Sequence, residues 1–192
     1  MKFVENVYGI VTNTIMARKE IAENIKVISR DPDRSDAAKE KETEFLKNQA
    51  AKILADARTD LEVIRGEFKT AADNAFLIDG SMNNADAAIF QSGITLTPEQ
   101  FEHIVERNKL NPFVISLARK YYDEHQDTSF IATLPPTHEQ AVTNFDSFID
   151  AAKSITADDP FSFRYAFFLK NSPPVGADLI ESFTESSSEE SD

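Results

Sequence analysis

The chain has no cysteine among its 192 residues, and it has only five glycines. The absence of cysteine excludes disulfide bonds, thiolate metal sites and cysteine nucleophiles. Gly66, Gly80 and Gly93 lie too far apart to form a phosphate-binding loop. The apolar residues between 3 and 16 are interrupted by polar ones, so neither a signal peptide nor a membrane span is predicted. We therefore expect a cytoplasmic protein that does not bind membranes.

Basic side chains are also scarce, and the net charge is −13. Residues 1–79 carry 13 basic and 15 acidic side chains, whereas residues 80–192 carry 7 and 18. Such a charge repels nucleic-acid phosphates and anionic lipid surfaces. Direct binding to nucleic acid is therefore not expected, and a basic partner is favoured.

Motifs for catalysis and metal binding are missing. None of the three histidines has a glutamate three residues before it, and Val142 stands where the zinc-protease pattern beginning at His138 needs a second histidine. The turn that begins at Asp31 resembles a calcium-binding loop, but Asp36 occupies the position that requires glycine. We therefore expect no enzymatic activity, no cofactor and no metal ion.

The dominant positive feature is one long helical pattern, Asp36–Asp79, with a single interior glycine and no proline. At 1.5 Å per residue it would form a rod of about 66 Å. Apolar residues recur along it at heptad spacing, which is typical of a coiled coil. The two seam positions hold Leu54, Leu61, Phe68 and Ala75, and Ala50, Ala57, Ile64, Ala71 and Ile78.

A first helix over Phe3–Ser29 and a short turn over Arg30–Ser35 precede this rod, so the two helices are expected to form an antiparallel hairpin. The first helix is only about 40 Å long, which leaves roughly 25 Å of the rod uncovered by it. Either the C-terminal half or another chain must cover the apolar stripe there. We expect a homo-oligomer through the long helix. Its candidate oligomerisation residues are Leu54, Leu61, Ile64, Phe68, Ala71, Ala75 and Ile78.

The second half begins after Asp79-Gly80-Ser81, which is a turn signal. The segment Met82–Gln91 is predicted to be a short helix. Thr97-Pro98 with Gln100, Asn111-Pro112, and Thr137 with Gln140 are helix-start signals. They predict helices over Pro98–Asn108 and Pro112–His125 and a further helix after Thr137. The fold class is therefore all-α, with a helical hairpin and coiled-coil rod (1–79) and a small C-terminal helical domain (80–171).

An aromatic run, PFSFRYAFFL, follows Asp159 and is interpreted as a final short helix, although its alternating aromatics also suit a strand. The run either closes the core of the small helical domain or forms a partly exposed patch that binds another protein. The candidate partner-binding residues are Phe161, Phe163, Tyr165, Phe167 and Phe168. An acidic, serine-rich tail (172–192) is expected to be disordered, with Leu179, Ile180 and Phe183 as the residues that could form a short docking element within it.

This layout resembles the capsid scaffolding, or head morphogenesis, proteins of tailed bacteriophages, especially those infecting Gram-positive bacteria. The likeness is carried by the N-terminal helix, the long charged heptad helix, the DGS break, the segment SGITLTPEQFEHIVE and the acidic tail. It implies an assembly chaperone that oligomerises, binds the major capsid protein and directs procapsid assembly. The basic C-terminal coat-binding element common in that family has no counterpart in this acidic tail.

Two other functions share these features. A cytoplasmic coiled-coil adaptor or chaperone for a different protein would have the same architecture. An acidic mimic of DNA would use the negative C-terminal half to inhibit a basic DNA-binding enzyme. The DNA mimic is the least favoured of these functions, because a mimic needs carboxylates spaced like phosphates on one face and the carboxylates here are scattered.

Overall fold

A computed structural model describes residues 3–78, 80–125, 133–170 and 173–189 of the chain. Within these residues every regular element is helical, so the prediction of an all-α fold is confirmed. The elements, in chain order, are α1 (Phe3–Arg30), α2 (Asp36–Ala75), a 3₁₀ turn (Gly80–Met82), α3 (Ala85–Gln91), α4 (Pro98–Arg107), α5 (Pro112–Glu124), α6 (His138–Ala157), α7 (Arg164–Phe168) and α8 (Ala177–Glu189).

The helix starts that depend on local hydrogen bonds are confirmed. The Thr97 hydroxyl accepts from the Gln100 backbone N–H, and the Gln100 side chain accepts from the Thr97 backbone, so the capping box before α4 is complete. The same reciprocal pair joins Thr137 and Gln140 at the start of α6, with N···O distances of 2.9 and 3.1 Å. Asn111 caps α5 by accepting from Val114 N–H at 3.1 Å.

Three helix boundaries differ from the prediction by more than one residue. The short helix predicted over Met82–Gln91 begins at Ala85, and Met82 belongs to the 3₁₀ turn before it. The long helix ends at Ala75, so Ile78 is not part of it, and the predicted end at Asp79 lies outside the described residues. The last short helix begins at Arg164. The preceding Asp159 side chain instead accepts from Phe161 N–H at 3.0 Å, which forms a turn before the helix.

The chain forms two compact units, each built from separate segments. Unit 1 contains Phe68–Asn144 and Val175–Asp192, and unit 2 contains Lys2–Glu67 and Phe145–Pro174. Helices α2 and α6 therefore each contribute residues to both units. The sequence had predicted divisions at residues 79 and 171.

Unit 2 has a core of fully or almost fully buried side chains from α1, α2, α6 and α7. Phe3 meets Phe145 edge to face with ring centroids 6.3 Å apart, and Tyr8 meets Phe148 at 5.6 Å. The Arg18 guanidinium at the middle of α1 donates to the backbone carbonyl of Asp158 at 2.8 Å. Helix α6 is thus fixed against α1 by both apolar and polar contacts.

Helix α6 also lies along α2. In unit 2, Arg65 Nε of α2 is 3.0 Å from Asp146 Oδ1 of α6, and Lys153 of α6 pairs with Glu62 of α2. In unit 1, His138 Nε2 at the start of α6 is 2.7 Å from Asp73 Oδ1 of α2. The part of α2 that the sequence left uncovered therefore has a neighbour within its own chain.

The premise that this stripe needs a second molecule is wrong for four of the seven candidate oligomerisation residues. Their side chains are already buried in a single chain, because α6 packs beside them. Leu54 and Ala71 are half-buried, and Ile78, beyond the helix, is exposed. The four buried residues are Leu61 (0% exposed), Ile64 (6%), Phe68 (1%) and Ala75 (6%).

Unit 1 contains a buried polar network between α3 and α4. The Asp86 carboxylate, almost inaccessible to solvent, accepts from Arg107 Nε at 2.6 Å and from Asn108 Nδ2 at 2.6 Å. Asn108, also buried, accepts in turn from Asn84 Nδ2 at 2.9 Å. The hydrogen bond from Arg107 lowers the pKa of Asp86 below its ordinary value, so the carboxylate form is the one that holds the network together.

We expect Asp86→Ala to destabilise unit 1 by about 1–3 kcal/mol, because it leaves the buried amide of Asn108 with an unmet donor. Since the folded-state pKa is lowered, the contribution of Asp86 is fully present above its unfolded-state pKa near 4 and is lost as pH falls through the lower folded-state pKa. Urea unfolding followed by circular dichroism at pH 7 and pH 3 should show a smaller loss of stability in acid for the variant than for the wild type.

The matched control is Glu106→Gln, which breaks the solvent-exposed pair with Lys109. It should leave the unfolding midpoint unchanged at both pH values, since exposed ion pairs contribute little. Equal acid sensitivity of the wild type and the Asp86 variant would contradict this role for the Asp86 network.

The prediction of a disordered tail is wrong for Ala177–Glu189, which form α8. Ala177 and Ile180 are buried at 1% and 0% exposure, so the start of the helix has apolar anchors. Gly176 adopts φ +95°, and a Cβ there would lie 2.9 Å from Pro136 Cγ and 3.0 Å from Ala141 Cβ. The absence of a side chain at residue 176 therefore lets α8 pack against the start of α6. Residues 190–192 of the predicted tail lie outside the described residues.

Gly176→Ala should weaken the attachment of α8 by about 1–2 kcal/mol, because alanine is strained at positive φ and its Cβ would clash with Pro136. Hydrogen exchange measured by mass spectrometry should show faster exchange in α8. Gly93→Ala is the control, since Gly93 also has positive φ but open space around it. Identical exchange of α8 in both variants would show that the close approach to Pro136 and Ala141 is unimportant.

Candidate functional site

The aromatic run near the end of unit 2 exposes three phenylalanine rings to solvent. Phe163 is 89% exposed, Phe167 is 76% exposed and Phe161 is 40% exposed. The three residues lie within seven positions of the sequence, and exposed apolar side chains that are grouped mark interaction sites more often than isolated ones do. We call these three residues the aromatic patch.

The short helix α7 separates the inward aromatics from the outward ones. The Phe168 ring stacks on Phe148 with centroids 5.1 Å apart and meets Tyr8 edge to face at 5.5 Å. The Tyr165 hydroxyl donates to Thr12 Oγ1 at 3.1 Å. Because residues three and four apart share a helix face, this anchoring of Tyr165 and Phe168 leaves Phe163 and Phe167 on the other side.

The two sequence interpretations apply to different residues of the run, and neither holds as it was made. The core that Phe168 joins belongs to unit 2 and not to the predicted small helical domain, and binding of another protein by the exposed rings stays a prediction. Phe168 helps to close a core, in unit 2, whereas the aromatic patch remains accessible. The predicted helix is confirmed for Arg164–Phe168. Of the five candidate partner-binding residues, the three of the aromatic patch are exposed. Tyr165 and Phe168 instead hold α7 against the rest of unit 2.

Positively charged side chains border the aromatic patch. Lys26 Nζ lies 4.1 Å from the centroid of the Phe161 ring, and Lys19 Nζ lies 5.7 Å from it, both within range of a cation–π interaction. Arg164, at the start of α7, pairs with Asp158 at 2.7 Å. The chain as a whole is acidic, so this combination of lysines and phenylalanines is a local exception.

Unit 1 contains a second surface feature, an open groove of about 630 Å³. Its walls are lined by apolar side chains from the segment that follows α2, from α5, from the two prolines before α6 and from α8. A groove of this volume with a mostly apolar lining falls in the size range of small-molecule sites. The residues that form its apolar wall are Phe76, Ile78, Pro112, Ile115, Pro135, Pro136, Leu179 and Phe183.

The charged groups that line this groove are mostly neutralised. Lys109 pairs with Glu106 at 2.9 Å, Lys120 lies 3.9 Å from Glu124, and His138 contacts Asp73. Arg119 differs: its guanidinium donates to the Pro135 backbone carbonyl at 2.5 Å. Within the described part of the chain no carboxylate lies within 4 Å of Arg119.

The sequence did not predict this groove. Its walls come from segments far apart in the chain, and the sequence named Leu179 and Phe183 only as part of a short docking element in an otherwise disordered tail. The single local signal was Arg119, which follows Ile115 by four residues and so shares a helix face with a core residue.

Two of the three histidines contribute to packing. His125 stacks on Tyr121 with centroids 4.0 Å apart and contacts its backbone carbonyl, and His138 meets Phe76 edge to face. In the described residues, no three histidine or acidic side chains are grouped in a way that could hold a metal ion. None of the helices in that part of the chain has a stretch long and apolar enough to cross a bilayer.

Comparison with known proteins gives no relative: no family model matches the chain, and no curated protein or solved structure does.

Proposed function

We propose that this chain is a non-enzymatic protein-binding protein, and specifically an assembly chaperone that binds a major capsid protein. The observation that carries the proposal is the aromatic patch, in which Phe163 and Phe167 are more than three-quarters exposed. Burying two such rings against a partner would release about 1.5–3 kcal/mol for each ring. Aromatic anchors of this kind commonly dominate the binding energy of an interface.

The charges around the patch define the partner surface. Lys19 and Lys26 flank Phe161, so a matching surface would be apolar at its centre and acidic at its edge. The resemblance to scaffolding proteins supplies the more specific partner, since such proteins bind coat protein weakly at many points. Weak contacts repeated along an assembling shell give strong but reversible association.

The arrangement of α1 and α2 supports the same proposal. Contacts in unit 2 pair Phe3 with Phe145 and Arg18 with Asp158, so α1 runs parallel to α6. Glu62 pairs with Lys153 and Arg65 with Asp146, so α2 runs antiparallel to α6. We infer that α1 and α2 form the antiparallel hairpin expected from the sequence.

Self-association through α2 would use its exposed apolar residues, because the predicted stripe is buried. Phe45 is 68% exposed and Val63 is 53% exposed. They are 18 residues apart, which corresponds to five helical turns and therefore to one face of the helix. This face replaces Leu61, Ile64, Phe68 and Ala75 as the proposed oligomer contact.

The decisive experiment is coexpression of the chain with the major capsid protein encoded in the same genome. Closed shells seen by negative-stain electron microscopy only when both proteins are present would support the proposal. The double variant Phe163→Ser and Phe167→Ser should abolish the shells while its circular dichroism spectrum stays that of the wild type. Leu77→Ser, at a residue that is 64% exposed outside the aromatic patch, is the control and should still give shells.

Shells formed equally well by the double variant would contradict a role for the aromatic patch. A photo-crosslinking amino acid placed at Phe163 tests the broader alternative. Crosslinks in cells to a protein other than the capsid protein would indicate an adaptor or chaperone for that partner and would exclude the scaffolding assignment.

A further inference from the structure

The groove in unit 1 combines an apolar wall with Arg119, a cation that has no carboxylate within 4 Å among the residues that the structure describes. Ile115 is almost fully buried at its base, and Phe76, Pro136, Leu179 and Phe183 are half-buried around it. Arg119 lines the same groove and is itself half-buried. An apolar surface beside a partly desolvated guanidinium suits a ligand with an apolar body and a negatively charged end.

The neighbouring charges decide which anion fits best. Asp123 and Glu124 also line the groove, so a dianionic phosphate group would be repelled more strongly than a singly charged carboxylate. The two lysines in the lining are paired with Glu106 and Glu124. The planar fork of Arg119 is suited to the two oxygens of one carboxylate.

The hydrogen bond from Arg119 to the Pro135 carbonyl orients this fork. One terminal nitrogen donates to that carbonyl at 2.5 Å, which ties the guanidinium to the Pro135-Pro136 wall of the groove. A guanidinium has five N–H donors, so most of them remain for a ligand. The Arg119 guanidinium is therefore held in place before a ligand binds, which lowers the entropic cost of binding.

We propose that this groove binds a long-chain monocarboxylate, such as a fatty acid, with its carboxylate on Arg119 and its acyl chain against Ile115, Leu179 and Phe183. The volume of about 630 Å³ lies within the range of small-molecule sites. The proposal stands independently of the proposed function, because the aromatic patch and the groove belong to different units and share no residue.

Binding is measured with sodium oleate below its micelle concentration, by isothermal titration calorimetry on the full chain. Saturable binding of one oleate per chain is expected. Arg119→Gln should weaken oleate binding at least about tenfold, since it removes a charge-assisted hydrogen-bonded pair. Arg119→Lys should recover part of the affinity. Methyl oleate, which has no charge, should bind the wild type and Arg119→Gln equally.

Two further variants separate the groove from general adsorption of lipid. Leu179→Asp places a charge against the acyl chain and should weaken oleate and methyl oleate alike. Arg58→Gln removes an exposed arginine from α2, outside unit 1, and should change neither affinity. Circular dichroism spectra matching the wild type establish that each variant is folded.

Absence of saturable oleate binding would overturn the proposal, as would equal oleate affinity of the wild type and Arg119→Gln. A third outcome would also overturn it: an amphipathic peptide with a single glutamate that displaces oleate and binds more tightly in an Arg119-dependent way. The groove would then be a peptide site.

Discussion

Leu61→Asp should unfold the chain or leave it barely stable at room temperature. Leu61 is fully buried, so the variant forces an unpaired carboxylate into an apolar core, at a cost of about 3–5 kcal/mol. A cost of that size is a large share of the stability of an ordinary domain. Thermal unfolding followed by circular dichroism at 222 nm measures the effect directly.

Ala51→Asp is the matched control for this variant. Ala51 is an exposed residue of the same helix, about a third of a turn away from the face of Phe45 and Val63, so the variant should unfold at nearly the wild-type temperature. Light scattering on both variants tests whether the stripe predicted from the sequence is an oligomer contact. A folded Leu61 variant whose only change is from oligomer to monomer would show that Leu61 packs against a second chain after all.

Phe145→Ala should destabilise unit 2 by about 3–5 kcal/mol, the usual cost of truncating a fully buried phenylalanine. Phe145 is 1% exposed and touches Phe3 and Phe148, so the variant leaves a cavity between α1 and α6. Urea unfolding monitored by circular dichroism should show the midpoint falling steeply.

The control is the same substitution at an exposed ring. Phe163→Ala should leave the unfolding midpoint close to that of the wild type, because its ring is already in water. Comparable destabilisation by the two variants would mean that Phe163 is packed against the chain and is not available to a partner. The two variants therefore test both the core of unit 2 and the exposure of Phe163 on which the proposed function depends.

Features controlled by adjacent residues could be predicted from the sequence. Thr97, Pro98 and Gln100 satisfy each other's backbone groups within one turn, so the start of α4 does not depend on the rest of the fold. The heptad spacing along α2 was similarly local, and it selected five of the six buried residues of this helix, including Leu61 and Phe68; the sixth is Ala72, next to the selected Ala71.

The partner of each apolar face could not be predicted in the same way. The pattern of α2 required a neighbour, but burial of apolar surface is not directional, and the sequence does not state which amphipathic helix supplies it. The pairs that place α6 there, Arg65 with Asp146 and Glu62 with Lys153, join residues more than eighty positions apart. Charge pairing over such distances cannot be identified in one acidic sequence with many candidate partners.

The two candidate sites also depend on contacts between residues far apart in the sequence, so they could be predicted only in part. The aromatic composition of residues 161–168 indicated a site, but only the tertiary contacts of Tyr165 and Phe168 determine which rings stay exposed. The groove depends on α8, whose attachment requires Gly176 to approach Pro136 and Ala141. The serine- and glutamate-rich sequence of the tail does not indicate that Gly176 packs closely against these two residues.

The discontinuous composition of the two units has a consequence for biosynthesis. Neither unit is complete until α6 has been made, because Phe145, Ile149 and Ala152 complete one core and Ala141 belongs to the other. On the ribosome, the first 137 residues would therefore emerge without the helix that covers α2, and folding must wait for the last third of the chain. Truncation after residue 79 should accordingly yield an aggregation-prone fragment, and the protein is best produced for experiments as one intact polypeptide.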